Sequence, residues 1–213
     1  MKIGIMGSGD VAKALAAGFL KHGHEVMLGT RDAAKLAGFV AEHPGAKLGS
    51  FADAAGFAQL AVLAVKGHAA ADVLRSAAAG LAGKTVIDTT NPIAELPPVN
   101  GVLQYFTGPN ESLLERLQRE FPALCLVKAF NSVGSACMVD PQLAGGAPTM
   151  FIAGNDAAAR AQVGGILQQF GWGVADMGQA EAARAIEPLA MLWCIPGFLR
   201  NDWEHAFKLL HKA

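Results

Sequence analysis

Short apolar runs alternate with stretches of helical periodicity along most of the chain. The run 59–65, QLAVLAV, has no polar face, which is typical of a strand buried on both sides of a parallel sheet. The stretch 10–22 instead places apolar residues three and four positions apart, as on the buried face of a helix. This alternation predicts an α/β protein with a doubly wound, mostly parallel, Rossmann-type sheet.

The same patterns predict the order of the elements. Strands are predicted over 2–6, 24–28, 59–65, 84–90, 124–130, 149–153 and 174–177. Helices are predicted over 10–22, 33–41, 51–57, 69–79, 111–120 and 157–170. Prolines and glycines between 93 and 110 predict an irregular loop, in which Tyr105 and Phe106 either cover a flat ligand ring or pack back on the protein.

The last part of the chain is predicted to be a helical tail. One helix is expected over 181–195 and a second over 198–210, with Pro196-Gly197 interrupting them. The chain therefore divides into a Rossmann domain over 1–178 and a tail over 179–213. The many Leu, Trp, Met and Phe side chains of the tail suit packing on the domain, closing a cleft, or on a second subunit.

A glycine pattern joins the first strand to the first helix. Gly7-x-Gly9-x-x-Ala12 matches the G-x-G-x-x-G/A fingerprint of dinucleotide binding, with a strand before it and a helix after it. Gly7 permits the tight turn, Gly9 lets a diphosphate approach the backbone, and Ala12 lets the helix pack closely on the strand. The helix N-terminus offers N–H groups to the phosphates, so a dinucleotide site is predicted over an ordinary glycine turn.

The residues after the second strand indicate which dinucleotide binds. An NAD site normally has an acidic residue about 20 positions beyond the glycines, but Gly29 stands there and Thr30 and Arg31 follow. A hydroxyl and a guanidinium suit a 2′-phosphate, and Lys35 adds charge one helical turn later. Asp32 is expected to cap a helix and point away. The prediction is NADP(H) over NAD(H); the alternative is that Arg31 is a solvated surface residue.

Polar residues also follow the strands beyond the glycine turn. Lys66 and His68 come directly after the strand 59–65, at the sheet edge where α/β proteins bind ligands. His68 either contacts the ribose or phosphate or caps the next helix. Asn91 closes the strand 84–90 and is included in the predicted cofactor site.

The strand 124–130 offers further polar candidates. Lys128 and Asn131 lie near its carboxyl end, where they would orient the nicotinamide amide or the acceptor, although strand alternation aims Lys128 either into or out of the cleft. Asp88 is interpreted as a structural hydrogen-bonding residue in preference to a base. Cys137 is interpreted as an inert buried thiol.

Composition narrows the function classes. Of 213 residues, 52% are hydrophobic and 16% charged, and the net charge of −1 with no basic stripe argues against nucleic acid as a partner. The three scattered cysteines predict reduced thiols in a cytoplasmic protein. We expect no leader and no membrane span, because the longest apolar run, 188–199, is short. The histidines are dispersed, so no metal site is expected.

Five motifs together resemble one family. They are GSGDVAKAL at 7–15, GHEVMLGTRD at 23–32, DTTNP at 88–92, VKAFNSVG at 127–134 and EPLAMLW at 187–193. Across nearly the whole chain they resemble the small NADPH-dependent oxidoreductases typified by coenzyme F420:NADP oxidoreductase. The resemblance implies a Rossmann-type domain with a small helical C-terminal part, usually dimeric. It implies NADP contacts from Ser8, Gly9, Asp10, Val11, Thr30, Arg31, Lys35, Val65, Ala69 and Ala129.

The resemblance also implies a chemistry. A deazaflavin would lie against the nicotinamide between the sheet edge and the tail, and hydride would pass directly between the rings with no essential acid–base residue. The chain departs from the family at Lys66-Gly67, where a proline and an aromatic or small residue are more usual. The expected function is hydride transfer between NADP(H) and a flat redox cofactor such as F420. Reduction of a flavin, quinone or ferric complex, and a non-catalytic NADP(H)-binding redox sensor, remain alternatives.

Overall fold

Two parallel sheets form the frame of the protein, for which the computed structural model describes residues 1–212. The large sheet contains β1 (Lys2–Met6), β2 (Glu25–Gly29), β3 (Ala46–Gly49), β4 (Leu60–Leu63), β5 (Thr85–Asp88) and β6 (Cys125–Lys128), and the small one contains β7 (Thr149–Ile152) and β8 (Gly173–Asp176). The helices are α1 (Asp10–Lys21), α2 (Ala37–Glu42), α3 (Phe51–Phe57), α4 (Ala70–Leu81), α5 (Leu113–Glu120), α6 (Ala157–Gln169) and α7 (Ala183–Arg200).

The strand order of the large sheet reverses beside β1. The order is β3-β2-β1-β4-β5-β6, and every pair is parallel. At the carboxyl end of β1, Met6 lies opposite Gly29 of β2 on one side and opposite Leu63 of β4 on the other. The predicted Rossmann-type fold is therefore confirmed, and three chain segments emerge side by side at the place where such sheets bind ligands.

The core lies on both faces of the large sheet. Ile3 and Ile5 of β1 belong to one buried cluster with Phe19 of α1, whereas Met6 belongs to a second cluster with Leu74 of α4. Successive strand residues thus enter opposite clusters, and both faces exclude water. This explains why the strands have no polar alternation in the sequence.

The edges of the large sheet hold the features that the pattern does not indicate. The strand β3 has only four residues, of which Ala46 alone is buried, and it is ordered by pairing with Val26 of β2. The predicted helix 33–41 begins as a 3-10 turn over Ala33–Leu36 and continues as α2. At the opposite edge, the amide of Lys128 donates to the carbonyl of Ala153 (2.8 Å), which joins β6 to the small sheet.

The predicted pair of tail helices is wrong. Helix α7 runs through Pro196 without interruption and ends at Arg200. Asn201 ends it in the left-handed conformation (φ 56°), with its amide bonded to the carbonyl of Gly197 (2.9 Å). Proline lacks the amide hydrogen but has a φ that a helix accepts, so a proline followed by glycine is not by itself a stop signal.

Residues 201–212, here called the C-terminal strap, form no helix and lie back on the protein. A Cβ on Gly197 would come within 2.2 Å of the Trp203 ring, so the glycine is what lets the indole lie against α7. Farther along the strap, the amide of Thr149 at the start of β7 donates to the carbonyl of Phe207 (2.9 Å). Contacts distant in sequence thus determine the path of the strap.

One helix passes a length and composition test for membrane spans. The segment Ala180–Arg200 has a mean hydropathy of 1.2, and 33% of its tested window is buried. Length and composition alone do not show a membrane span, so the expectation of none stays a prediction. One face of the helix nevertheless contacts the sheet, because Glu187 is buried and pairs with Lys128 (3.0 Å).

An ion pair also joins α7 to α5. Ser112 caps α5 and exchanges hydrogen bonds with Glu115 in a capping box, and Arg184 of α7 contacts the same carboxylate at 2.5 Å. The bonds from Arg184, with smaller contributions from Ser112, lower the pKa of Glu115 from 4.5 to about 2 against the opposing effect of burial. The pair therefore stabilises the folded protein only where Glu115 is ionised.

We expect this stabilisation to fade in acid. Because folding lowers the pKa of Glu115, its contribution is complete above about pH 4.5 and is lost as the pH falls toward 2. Arg184→Gln should lower the free energy of unfolding near neutral pH by less than about 1 kcal/mol, since the Arg184 side chain is 40% exposed. Urea unfolding of both proteins at neutral and acid pH measures this difference. A difference that stays constant with pH would contradict the assignment.

Candidate functional site

A cavity of about 970 Å³ lies at the carboxyl edge of the large sheet, where the strand order reverses. Its walls are the turn after β1 and the segments that follow β2, β4 and β5. The volume is at the upper end of the usual range for small-molecule sites, about 300–1,000 Å³. The lining includes these residues that the sequence predicts for the cofactor site: Gly7, Ser8, Gly9, Asp10, Val11, Thr30, Arg31, Lys35, Val65, Lys66, His68, Ala69 and Asn91.

The glycine turn has the geometry that its pattern predicts. Gly7 has φ +150°, and a Cβ there would lie 2.1 Å from the carbonyl oxygen of Ala64. Ala12 is fully buried beside it. A Cβ on Gly9 would meet no protein atom within 4 Å, so the side that Gly9 leaves open faces free space at the start of α1. A diphosphate fits this open side beside the unpaired amides of the first helical turn.

The segment after β2 presents cations to the same cavity. The Asp32 carboxylate accepts from the amide of Ala34 (3.1 Å), which confirms its predicted role as a helix cap. Its own amide donates to the Thr30 hydroxyl oxygen (3.1 Å). Arg31 and Lys35 are exposed, line the cavity and form no ion pair with any residue of 1–212. Arg31 and Lys35 suit a 2′-phosphate. Asp32 is engaged with the backbone but also lines the cavity, so the expectation that it points away is not confirmed.

The segment after β4 forms the wall on the other side of the turn. Gly67 packs against the backbone that follows β5, because a Cβ on Gly67 would lie 2.0 Å from the carbonyl oxygen of Asn91. His68 does not cap α4, which has no side-chain cap; its Nε2 instead lies 3.4 Å from a carboxylate oxygen of Glu95. The capping alternative for His68 is therefore wrong. Lys66 is exposed, lines the cavity and has no ion-pair partner within residues 1–212.

Behind the wall that follows β5 lies a buried triad, formed by Asp88, Lys128 and Glu187. Lys128 Nζ lies 2.7 Å from Asp88 and 3.0 Å from Glu187, and all three residues are at most 1% exposed. Burial opposes the charge of Lys128, but the two carboxylates outweigh it and raise the pKa of Lys128 above its usual value. Lys128 also donates to the carbonyl of Thr90 (2.7 Å), which lines the cavity.

The triad and its neighbours support the cavity and do not line it. Asn131 Nδ2 donates to Asn91 Oδ1 (3.1 Å) and to the carbonyl of Ile186 in α7 (3.1 Å), so it holds the cavity residue Asn91 from behind. Ala129 is fully buried and also lies outside the lining. The hypothesis that Lys128 and Asn131 orient a nicotinamide directly is therefore wrong. Asp88 is structural as interpreted, accepting from the Thr90 amide (2.9 Å).

The loop aromatics pack away from the cavity. The Tyr105 hydroxyl donates to the backbone carbonyl of Glu187 (2.7 Å), and burial raises the pKa of Tyr105. Phe106 lies under the guanidinium of Arg116, 5.9 Å from ring centre to Cζ. The packed-back alternative therefore holds for Tyr105, whereas Phe106 is 37% exposed and lies outside the cavity lining. Burial likewise raises the pKa of Cys137, and residues 1–212 contain no group of three His, Cys, Asp or Glu side chains placed to hold a metal ion.

Comparison with known proteins identifies the family. Residues 2–92, which contain the glycine turn and the ends of β2 and β4, match the sequence model of the family described as "NADP oxidoreductase coenzyme F420-dependent". A crystal structure from Arthrobacter sp. FB24, named as a candidate F420-dependent NADP-reductase, shares 35% identity with a TM-score of 0.92 over 99% of this chain and 100% of that chain. This chain belongs to the coenzyme F420-dependent NADP oxidoreductase family. NADP(H) is the dinucleotide of that family.

More distant relatives share parts of this architecture. Rat (Rattus norvegicus) metalloreductase STEAP3 is 31% identical over 203 residues, which are 93% of this chain and 39% of STEAP3. This chain therefore spans about two fifths of that relative. A Sinorhizobium meliloti protein, SMa0349, shares 25% identity with a TM-score of 0.73 over 86% of both chains. The Streptomyces aurantiacus imine reductase, at 20% identity and a TM-score of 0.71 over 93% of this chain and 63% of its own, shows the shared fold alone.

Several cavity residues of this family member escape sequence reasoning. The start of the irregular loop supplies a wall of the cavity through Ile93, Ala94, Glu95 and Leu96. The sequence predicts ligand contacts in this loop only for its two aromatic rings, Tyr105 and Phe106, and not for its first residues. Phe51, Thr89 and Thr90 lie at predicted strand or helix ends, whereas Val73 lies inside the helix predicted over 69–79.

Proposed function

We propose that this protein transfers hydride between NADP(H) and a flat redox cofactor, with coenzyme F420 as the first acceptor to test. The observation that carries the proposal is the extent of the cavity on both sides of the glycine turn. Its lining includes Arg31 and Lys35 after β2, and Lys66 after β4 together with the loop start at 93–96. An acceptor would lie beside the dinucleotide on the side of the residues that follow β4 and β5.

The chain's own residues bind and orient the reactants. The amides at the start of α1 would hold the diphosphate, and Arg31 and Lys35 would hold the 2′-phosphate. Asn91, which Asn131 holds by a hydrogen bond, would lie at the nicotinamide end. When bound, NADPH supplies a hydride, two electrons and one proton, to the acceptor ring and becomes NADP+. A solvent proton completes the reduced acceptor. Orientation of the two rings is the catalytic contribution, so no side chain has to act as acid or base.

We expect Arg31→Ala to lower the preference for NADPH over NADH. A charge-assisted contact to the 2′-phosphate contributes about 1.5–3 kcal/mol, so the ratio of the two dissociation constants should fall roughly 10- to 150-fold. Titration of the protein with each cofactor measures this ratio. Arg75→Ala is the matched control, because Arg75 pairs with Asp72 and Glu120 on the surface and does not line the cavity. An unchanged ratio in the Arg31 variant would contradict the assignment.

A screen of acceptors tests the proposed function. Purified protein with NADPH is supplied in turn with F420, FMN, a quinone and a ferric chelate, and NADPH oxidation is followed by absorbance. Turnover with F420 supports the proposal, and turnover only with a flavin, quinone or ferric complex assigns the acceptor to that class. Tight NADPH binding without turnover on any acceptor would overturn the proposal in favour of a redox sensor.

The proposal includes a cytoplasmic homodimer. Leu192, Phe198 and Leu199 of α7 are exposed apolar side chains, and a second copy of the chain would cover them. Light scattering during size-exclusion chromatography measures the mass in solution. A monomer at all accessible concentrations would contradict this part of the proposal.

A further inference from the structure

The cavity contains cations on both sides of the glycine turn. Arg31 and Lys35 follow β2, whereas Lys66 follows β4, and none of the three forms an ion pair with residues 1–212. Eight other cations contact acidic partners: Lys21, Lys47, Arg75, Arg116, Arg119, Lys128, Arg160 and Arg184. The remaining cations of residues 1–212 that have no ion pair lie outside the cavity lining: Lys2, Lys13, Lys84, Arg200, Lys208 and Lys212. A 2′-phosphate accounts for the two cations after β2 but not for Lys66.

The register of the sheet separates these two groups of charge. The strands β2 and β4 pair with opposite sides of β1, with Gly29 and Leu63 both opposite Met6. Since neighbouring strands lie about 4.8 Å apart, the segments after β2 and β4 start roughly 10 Å apart across the glycine turn. A dinucleotide crosses a reversal of this kind with its adenosine on the β2 side, which leaves its nicotinamide half on the side of Lys66.

The nicotinamide half of the dinucleotide contains no anionic group for Lys66. Its ribose and carboxamide are neutral, and the diphosphate is met by the amides at the start of α1. The other charged groups at this end are Asp10, at the start of α1, and the pair of His68 with Glu95 at 3.4 Å. Lys66 also makes no side-chain hydrogen bond that would give it a purely structural role.

We propose that Lys66 binds an anionic group of the hydride acceptor, and so selects a flavin or deazaflavin whose side chain carries a phosphate. The inference rests on the proposed hydride transfer and specifies its substrate class. Lys66 and the loop start at 93–96 line the same cavity, in which the ring of the acceptor would lie. The ammonium group of Lys66 would bind a phosphate on the acceptor side chain through a charge-assisted hydrogen bond. It would add no binding energy for an acceptor that has only a neutral ring system.

Two pairs of acceptors that differ in the phosphate test this inference. The first pair is F420 and the deazaflavin that keeps only the ribityl chain, which lacks the phosphate and the groups beyond it. The second pair, FMN and riboflavin, differs in the phosphate alone. We expect kcat/KM of the native protein to favour the phosphate-bearing member about tenfold, as for one charge-assisted contact. Lys66→Gln should abolish that preference with the Kd for NADPH unchanged, and Lys66→Arg should retain it.

Lys47→Gln is the matched control, because it removes a lysine that pairs with Glu25 on the outer surface. It should leave the preference intact. A preference that persists in Lys66→Gln overturns the inference, and a weaker Kd for NADPH with an unchanged preference assigns Lys66 to the dinucleotide instead. If no acceptor oxidises NADPH, the proposed function fails.

In that case flavin fluorescence still measures the binding of FMN and riboflavin to the NADP+-loaded protein. If Lys66→Gln changes the binding of both flavins equally, the inference about Lys66 is overturned independently of the proposed function.

Discussion

Replacing Lys128 with methionine is expected to lower the free energy of unfolding by about 3–5 kcal/mol. The substitution keeps most of the side-chain volume but removes the only cation that contacts both Asp88 and Glu187 in the described chain. Both carboxylates would remain buried without a counter-ion. An uncompensated buried charge costs more free energy than an intact buried ion pair contributes. The variant is therefore expected to lose much stability, even though the native triad need not make the protein more stable than an apolar core would.

Urea unfolding of the native and variant proteins measures this effect, and two further variants interpret it. Lys47→Met removes an exposed lysine and should cost less than about 1 kcal/mol. Asp88→Asn added to Lys128→Met should recover part of the loss, because it removes one of the two unpaired charges. A Lys128 variant that is no less stable than the Lys47 variant would contradict the buried triad as described.

Replacing Gly9 with valine is expected to weaken NADPH binding about a thousandfold without unfolding the protein. Gly9 has φ −84° and ψ −176°, which valine adopts readily, and the space beyond it contains no protein atom within 4 Å of a Cβ. The new side chain would therefore occupy the position of the diphosphate. Loss of two charge-assisted contacts of about 1.5–3 kcal/mol each accounts for the size of the effect.

Calorimetric titration with NADPH and thermal unfolding together test the Gly9 prediction. Gly165→Val, on the exposed side of α6, controls for the general cost of valine in place of glycine. Gly7→Ala gives the opposite result, a loss of stability, because its Cβ would meet the carbonyl of Ala64 at 2.1 Å. An unchanged NADPH affinity in Gly9→Val would show that no diphosphate lies over this turn.

Features with local causes could be predicted from the sequence. The turn at Gly7 and Gly9 depends on its own backbone and on the strand and helix beside it, so its pattern predicts both its fold and its place in the cavity. The cap formed by Asp32 depends on the amide of Ala34, two residues away. The parallel, doubly wound arrangement of the predicted strands also follows from the alternation of apolar runs and helical stretches, although β3 is not among those strands.

Features with distant causes could not be predicted. The partners of Lys128 are Asp88 and Glu187, about 40 and 60 residues away, and only the folded chain shows that their charges meet behind the wall of the cavity. The strand β3 is ordered by pairing with β2 and has almost no apolar run of its own. Helix α7 likewise passes Pro196 because its surroundings favour helix, whereas the local rule for Pro-Gly predicts a break.

The position of Glu187 after the last strand has a consequence for synthesis. When residues 1–178 have left the ribosome, Lys128 has met Asp88 but not its second carboxylate, and Asn131 lacks the Ile186 carbonyl. The first amides of α5, at Leu113 and Leu114, also still lack the Glu187 side chain that accepts from them (2.9 and 3.0 Å). The nascent sheet can therefore acquire this internal counter-ion only once α7, which follows all eight strands in the sequence, has been translated.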